Sequence, residues 1–161
     1  MKDEPESFRF GRIMVPLDGS LCAESALAPA LAIAQAMGAE LVLFRVAQPI
    51  PRTRALMEMP DVYAEVVAAA YREAEHYLEE LKERLPYEKI AVEHEPVETG
   101  VARQILDYCA SQGVDLIVFS SHGYSGVRRW AHGAIADKLL NGACCATLMV
   151  RCLSDATEPE E

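Results

Sequence analysis

The sequence predicts an α/β fold, a single open, doubly wound, five-stranded parallel sheet in the order 3-2-1-4-5. Three observations predict it. Short apolar runs alternate with stretches of helical periodicity along the chain, the signature of repeated βαβ units. One junction recurs, in which a helix stops at glycine, a small residue follows and a strand begins: Met37-Gly38-Ala39-Glu40-Leu41, Gln112-Gly113-Val114-Asp115-Leu116 and Asn141-Gly142-Ala143-Cys144. Finally, strands one, two and four are apolar on both faces and belong inside the sheet, whereas strand three is polar and belongs at an edge.

Taken in order, residues 1–8 are a polar lead-in, residues 9–152 a single domain and residues 153–161 an acidic tail. Phe10–Leu17 is the first strand. Ser20 is a good N-cap for an alanine-rich helix running to Met37, with Leu27, Leu31 and Ala34 at helical spacing and Gly38 as its stop. Glu40–Val46 is the second strand. A loop through Pro49, Pro51 and Pro60 leads to a long helix from about Asp61 to Leu85, ended by Pro86. Lys89–Val97 is the third strand, and its Pro96 cannot donate to an interior ladder. Val101–Gln112 is a helix stopped by Gly113, and Val114–Ser120 is the fourth strand. A short helix from Ile135 ends at Gly142, and Ala146–Arg151 is the fifth strand.

Composition excludes several classes. A chain of 161 residues with 51% hydrophobic content makes one domain with a sizeable core. No apolar run approaches the roughly 18 residues of a membrane span. The N-terminus, Met1-Lys2-Asp3-Glu4-Pro5-Glu6, lacks the apolar core of a signal peptide, so a cytoplasmic protein is expected. A net charge of -10 argues against general nucleic-acid binding, which needs a basic face. The five cysteines form no C-x-x-C pair, and the adjacent Cys144-Cys145 suits neither zinc nor an ordinary disulfide. Cys22, Cys109 and Cys144 are therefore expected to be buried, reduced, small apolar side chains, with no metal site.

In this strand order the chain reverses between strands one and four, and open α/β sheets bind ligands beyond the strand ends at that point. Pro16-Leu17-Asp18-Gly19-Ser20 leaves strand one. Ser120 to Ala134 leaves strand four, with Gly123, Gly126 and Gly133 and with Arg128 and Arg129, and no acidic residue lies between Leu116 and Ala136. A glycine loop entering a helix N-terminus holds anions through backbone N–H groups and the helix dipole. The plainer reading is a surface loop whose glycines only make turns. Asp18 is either a ligand contact or a cap on the following turn. His122 reads as a loop-fixing residue, since neither a nucleophile nor a carboxylate stands at a telling spacing beside it. Tyr124 and Trp130 read as packing or interface groups.

These residues resemble the universal stress proteins over about residues 9–151. The resemblance is carried by Ile13-Met14-Val15-Pro16-Leu17-Asp18-Gly19-Ser20, Val42-Leu43-Phe44-Arg45-Val46, Gly113-Val114-Asp115-Leu116-Ile117-Val118, Ser121-His122-Gly123 and Thr147-Leu148-Met149-Val150-Arg151. It implies a Rossmann-like, cytoplasmic homodimer joined through the last strand, Ala146–Arg151, and belonging to a family of which one branch binds ATP. By resemblance, Asp18 and the Val46 backbone meet the adenine side, with Pro16 and Leu17 lining it, and Phe119 and Ser120 belong to the same nucleotide-binding set. Gly123, Gly133, Ala134 and Ile135 hold phosphates through backbone N–H groups, with Arg128 and Arg129 as further phosphate contacts. ATP is the expected ligand, AMP its alternative, and Mg2+ would come only with the nucleotide.

Two positions depart from the nucleotide-binding pattern: Ser120 replaces its first glycine and Ala134 its final hydroxyl residue. A lost hydroxyl contact to a charged phosphate removes about 1.5–3 kcal/mol. The alternative function is therefore a dimeric interaction protein of the same fold that no longer binds nucleotide. An enzyme such as an adenylating transferase is disfavoured, because the first turn lacks a glycine-rich pyrophosphate loop and no Walker pattern occurs. At most, slow ATP hydrolysis is expected.

Overall fold

The computed structural model describes residues 8–47, 53–54, 58–96, 100–121 and 134–152. Their order is β1 (Arg12–Pro16), α1 (Leu21–Glu24), α2 (Leu27–Met37), β2 (Glu40–Ala47), α3 (Pro60–Arg84), β3 (Ile90–Pro96), α4 (Val101–Gln112), β4 (Leu116–Ser120), α5 (Ala134–Gly142) and β5 (Ala146–Val150). The five strands form one sheet in the order β3-β2-β1-β4-β5, and each pairing is parallel.

The side-chain period of two sorts each central strand between two cores. Ile13, Val15, Leu17, Leu41, Leu43, Leu116 and Val118 face α1, α2 and α3, where they pack with Ala23, Ala30, Ala34, Leu78 and Leu81. Met14, Val42, Phe44, Val46, Ile117 and Phe119 face α4 and α5, where they meet Ile105, Tyr108, Cys109, Ala136 and Leu139. Strands buried on both faces cannot alternate apolar with polar, which is why β1, β2 and β4 carry the apolar runs Ile13–Val15, Leu41–Phe44 and Leu116–Phe119. Among the described residues the polar β3 pairs only with β2 and forms the edge.

Of the three predicted glycine stops, Gly142 is the last residue of α5, and the other two lie just past their helices. Gly38 and Gly113 have φ of 68° and 64°, left-handed backbone that caps α2 and α4. At this same end of the sheet, Asp115 Oδ2 accepts from the backbone N–H groups of Gly11 (2.7 Å) and Arg12 (3.0 Å), fixing the start of β1 against β4.

Two expectations need correction. The helix expected from Ser20 to Met37 is broken into α1 and α2 at Ser25-Ala26. Pro29 explains the break: it has no N–H for the Ser25 carbonyl, and its ring crowds that carbonyl in a continuous helix. The freed turn tightens, with the Ala26 N–H donating to the Ala23 carbonyl at 3.2 Å and Ser25 Oγ donating to the Cys22 carbonyl at 2.6 Å.

The cysteine expectation fails at two of three positions. Cys22 is bonded to Cys152 in a disulfide, across a sequence separation of 130. Cys144 is exposed, and only Cys109 is buried and free as expected. Spacing along the chain carried no sign of the pair, because the fold alone brings the end of β5 beside α1. Among the described residues, no helix is long and apolar enough to cross a membrane.

Candidate functional site

Because the strands are parallel, the exits of β1, β2, β4 and β5 share one rim of the sheet. The register Ile13↔Leu116 and Met14↔Ile117, continued by two residues, sets Pro16 level with Phe119. Pro16 lies opposite Phe44 on β2, two residues before Val46. The nine-residue α5 runs back from this rim, so its first residues, Ala134 and Ile135, start there and are exposed. Six of the expected residues (Pro16, Leu17, Asp18, Val46, Phe119 and Ser120) thus gather around the switch point, with Ala134 and Ile135 at the helix that follows. Gly123, Arg128, Arg129 and Gly133 lie outside the described residues, as does His122.

Leu17, Val46 and Phe119 are 5%, 6% and 3% exposed, and their side chains are committed to the two cores. What these three can offer a ligand is therefore backbone. The Leu17 N–H already donates to the Phe44 carbonyl at 2.8 Å. Ser121, just past β4, is buried, and its N–H donates to the Val150 carbonyl at 2.9 Å, so the exit of β4 is fixed against β5.

Asp18 organises the β1 exit. Its Oδ1 accepts from the Ser20 N–H at 2.9 Å and from Ser20 Oγ at 2.6 Å. Ser20 Oγ in turn accepts from the Ala23 N–H at 3.1 Å, capping α1. The expected N-cap is in place, and Asp18 performs the capping role that was one of its two readings.

Beside this turn stands a group the sequence reading missed. Arg45 on β2 is 9% exposed, and its Nη1 and Nη2 meet Glu73 Oε1 at 3.0 Å and Oε2 at 2.9 Å. Its guanidinium carbon lies 4.9 Å from the Tyr77 ring centre, a cation–π contact. Tyr77 donates to Glu24 Oε1 at 3.1 Å. Burial first, and the Glu24 carboxylate second, push the Tyr77 phenol far above its usual range, so it stays a donor. Gly19, at φ 87°, passes close to the guanidinium: a Cβ there would lie 3.4 Å from Arg45 Nη2. The signal was present in the sequence, since Arg45 interrupts an otherwise apolar strand between Leu41 and Ala47.

The geometry is that of the switch point of an open parallel sheet, with one carboxylate turn and one helix start on its rim. The model of the universal stress protein family matches residues 9–151, and the chain belongs to that family. It is 27% identical over 147 residues to the universal stress protein YxiE of Bacillus subtilis, covering 88% of this chain and 99% of the relative. The structure of UspA from Lactobacillus plantarum superposes with a TM-score of 0.72 at 25% identity, covering 89% of this chain and 99% of that one. Two more distant structures share the fold. A universal stress protein in complex with cAMP has a TM-score of 0.60 at 19% identity, with 89% and 98% covered. A family protein of Arabidopsis thaliana with AMP bound has a TM-score of 0.61 at 14% identity, with 93% and 97% covered.

Proposed function

We propose that this chain is an adenine-nucleotide-binding stress-response module that works as a cytoplasmic homodimer and binds rather than turns over its ligand. The observation that carries the reading is the convergence of the Asp18 turn, the β2 exit at Val46, the β4 exit at Ser120 and the start of α5 on one rim. In the proposed pose Pro16, Leu17, Asp18 and the Val46 backbone meet the adenine side. Gly123, Gly133, Ala134 and Ile135 present backbone N–H groups to the phosphates at a helix N-terminus. Phe119 and Ser120 floor the crevice, and Arg128 and Arg129 supply positive charge. ATP is the proposed ligand, with AMP as its alternative and Mg2+ entering only on the nucleotide. The cAMP and AMP complexes of the distant relatives support the choice of an adenine ligand.

The second reading, a dimeric interaction protein without nucleotide, is favoured by one feature. Ala134 and Ile135 open α5 with no hydroxyl, and Ser120 stands where the nucleotide-binding pattern has glycine. Mass spectrometry of the supernatant from freshly purified, denatured protein separates the two. ATP or AMP recovered in proportion to protein supports the first reading. No nucleotide recovered, together with no melting shift at millimolar ATP, supports the second.

A further inference from the structure

We propose that Cys22 and Cys152 form a reversible thiol–disulfide site, open to low-molecular-weight thiols, that sets the order of the turn between β1 and α1. Through that turn it regulates the nucleotide crevice, a consequence that rests on the functional reading above.

The argument starts from where the two cysteines lie. Cys22 is in α1, immediately after the β1 exit, and Cys152 is the second residue past β5. Strands β1 and β5 are separated in the sheet by β4, a gap of roughly 10 Å between strand axes. The connections after β1 and β5 nevertheless bring the two Cα atoms to 5.3 Å, within the range disulfides need. The bridge therefore spans the end of β4, on the α1 and α2 side, where Ser120 and Ser121 leave the sheet.

This bridge holds a short element whose other ties are the Ser20 cap, Ala23 in the core and the contacts of Glu24 with Tyr77 and Arg84. Helix α1 has four residues, of which only Ala23 is buried, and Leu21 is 81% exposed. A single turn is far below the length at which a helix persists unaided. The turn carries the chain of bonds from Asp18 to Ser20 to the Ala23 N–H. Cys22 lies inside that span, so cutting the tether loosens the unit that places Asp18. Both cysteines are partly exposed and within reach of a small reagent, whereas Cys109 is sealed in the core.

The exchange is balanced with a small-molecule disulfide as oxidant. One cysteine thiolate attacks RS–SR and expels RS−, giving a mixed disulfide. The second thiolate then displaces the remaining RS−. Two protein thiols are oxidised, one RS–SR is reduced to two RSH, and the two protons from the cysteines end on the released thiols. Two equivalents of RSH reverse it.

Three measurements on the full chain, oxidised with glutathione disulfide or reduced with a phosphine, test the proposal alongside Cys152→Ala. Alkylation after denaturation should label five cysteines in the reduced protein and only Cys109, Cys144 and Cys145 in the oxidised one. Hydrogen exchange at the Ala23 and Glu24 amides should slow about tenfold on oxidation. ATP should bind about threefold to tenfold more tightly to the oxidised form, because the turn is ordered in advance. Cys152→Ala should stop at the mixed disulfide on Cys22, and its exchange at Ala23 and Glu24 should stay that of the reduced protein. Alkylation of Cys22 and Cys152 after oxidation, or exchange that is the same in both states, overturns the proposal. If exchange responds but neither state binds nucleotide, the functional reading falls and the thiol site stands. If exchange responds and both states bind ATP equally, the coupling to the crevice is refuted.

Discussion

The guanidinium of Arg45 grips both carboxylate oxygens of Glu73, at 3.0 and 2.9 Å, beside Gly19 in the turn that follows Asp18. This pair joins β2 to the middle of α3 near the exit of β1. The Arg45 side chain is 11% exposed and that of Glu73 62%, so the pair is half-screened rather than deeply buried. Replacing Glu73 by Gln keeps the shape and removes the charge. It should cost about 1–2 kcal/mol, the value of a charge-assisted bond discounted for exposure. In a protein of this size that lowers Tm by roughly 3–6 °C. A double-mutant cycle with Arg45→Met should give a coupling of about 1 kcal/mol, and a coupling near zero would show the pair to be decorative.

Gly19 and Gly113 separate backbone strain from a local role. Both have left-handed φ, 87° and 64°, and alanine should cost about 1–2 kcal/mol at either. At Gly113 an added Cβ meets nothing within 4 Å, whereas at Gly19 it meets Arg45 Nη2. Both variants should melt lower by similar amounts, but only Gly19→Ala should also weaken nucleotide binding. Equal affinity in the two variants would detach the β1 exit from the site.

The cysteines differ in a way that pH can read. Burial, then the neighbouring Cys145 and Cys144, push the Cys109 thiol from the ordinary 9.0 up to about 12. A raised folded-state value means the folded chain holds a proton that the unfolded chain gives up. The stability this contributes is fully present below pH 9 and is lost as pH rises through about 12. Urea unfolding between about pH 8 and pH 10.5 should therefore show falling stability, and Cys109→Val should flatten the slope. In the native protein at neutral pH, iodoacetamide should label exposed Cys144 and leave Cys109 unlabelled; rapid labelling of Cys109 would contradict its burial.

Much of the fold was legible in advance because it rests on local physics. Gly38 and Gly113 stop helices by occupying left-handed backbone, and the doubly covered strands show as apolar runs at Ile13–Val15 and Leu41–Phe44. What escaped was either overlooked or set by distance along the chain. Pro29 breaks the first helix through a carbonyl four residues away, a local signal hidden by the surrounding alanines. Arg45 and Glu73 are 28 residues apart, and Cys22 and Cys152 are 130 apart. Nothing in their spacing pairs them, and only the sheet order does. At the candidate site, the positions of Asp18 and Ala134 followed from topology, whereas Val46 entered through the family resemblance. That the side chains of Leu17 and Phe119 turn into opposite cores required the register.

Strand β5 pairs with β4 on one side and, among the described residues, has no strand on the other. Leu148, in its middle, is 37% exposed. Unpaired apolar edges invite association, and the proposed homodimer would cover this one. Leu148→Pro should yield monomer or aggregate by sedimentation, because proline removes a donor from the ladder and cannot be accommodated in the middle of a joined sheet. A dimer of unchanged mass would move the interface elsewhere.

The most direct test of the nucleotide site is calorimetric titration of ATP and adenosine into the wild-type protein and Ala134→Ser. The wild type should bind ATP at one site per chain. Ala134→Ser places a hydroxyl at the start of α5, where a contact to a charged phosphate is worth about 1.5–3 kcal/mol, so ATP should bind about tenfold more tightly or better. Adenosine, which has no phosphates, should gain almost nothing. No heat from millimolar ATP in either protein, or equal gains for ATP and adenosine, would contradict a phosphate site at the head of α5.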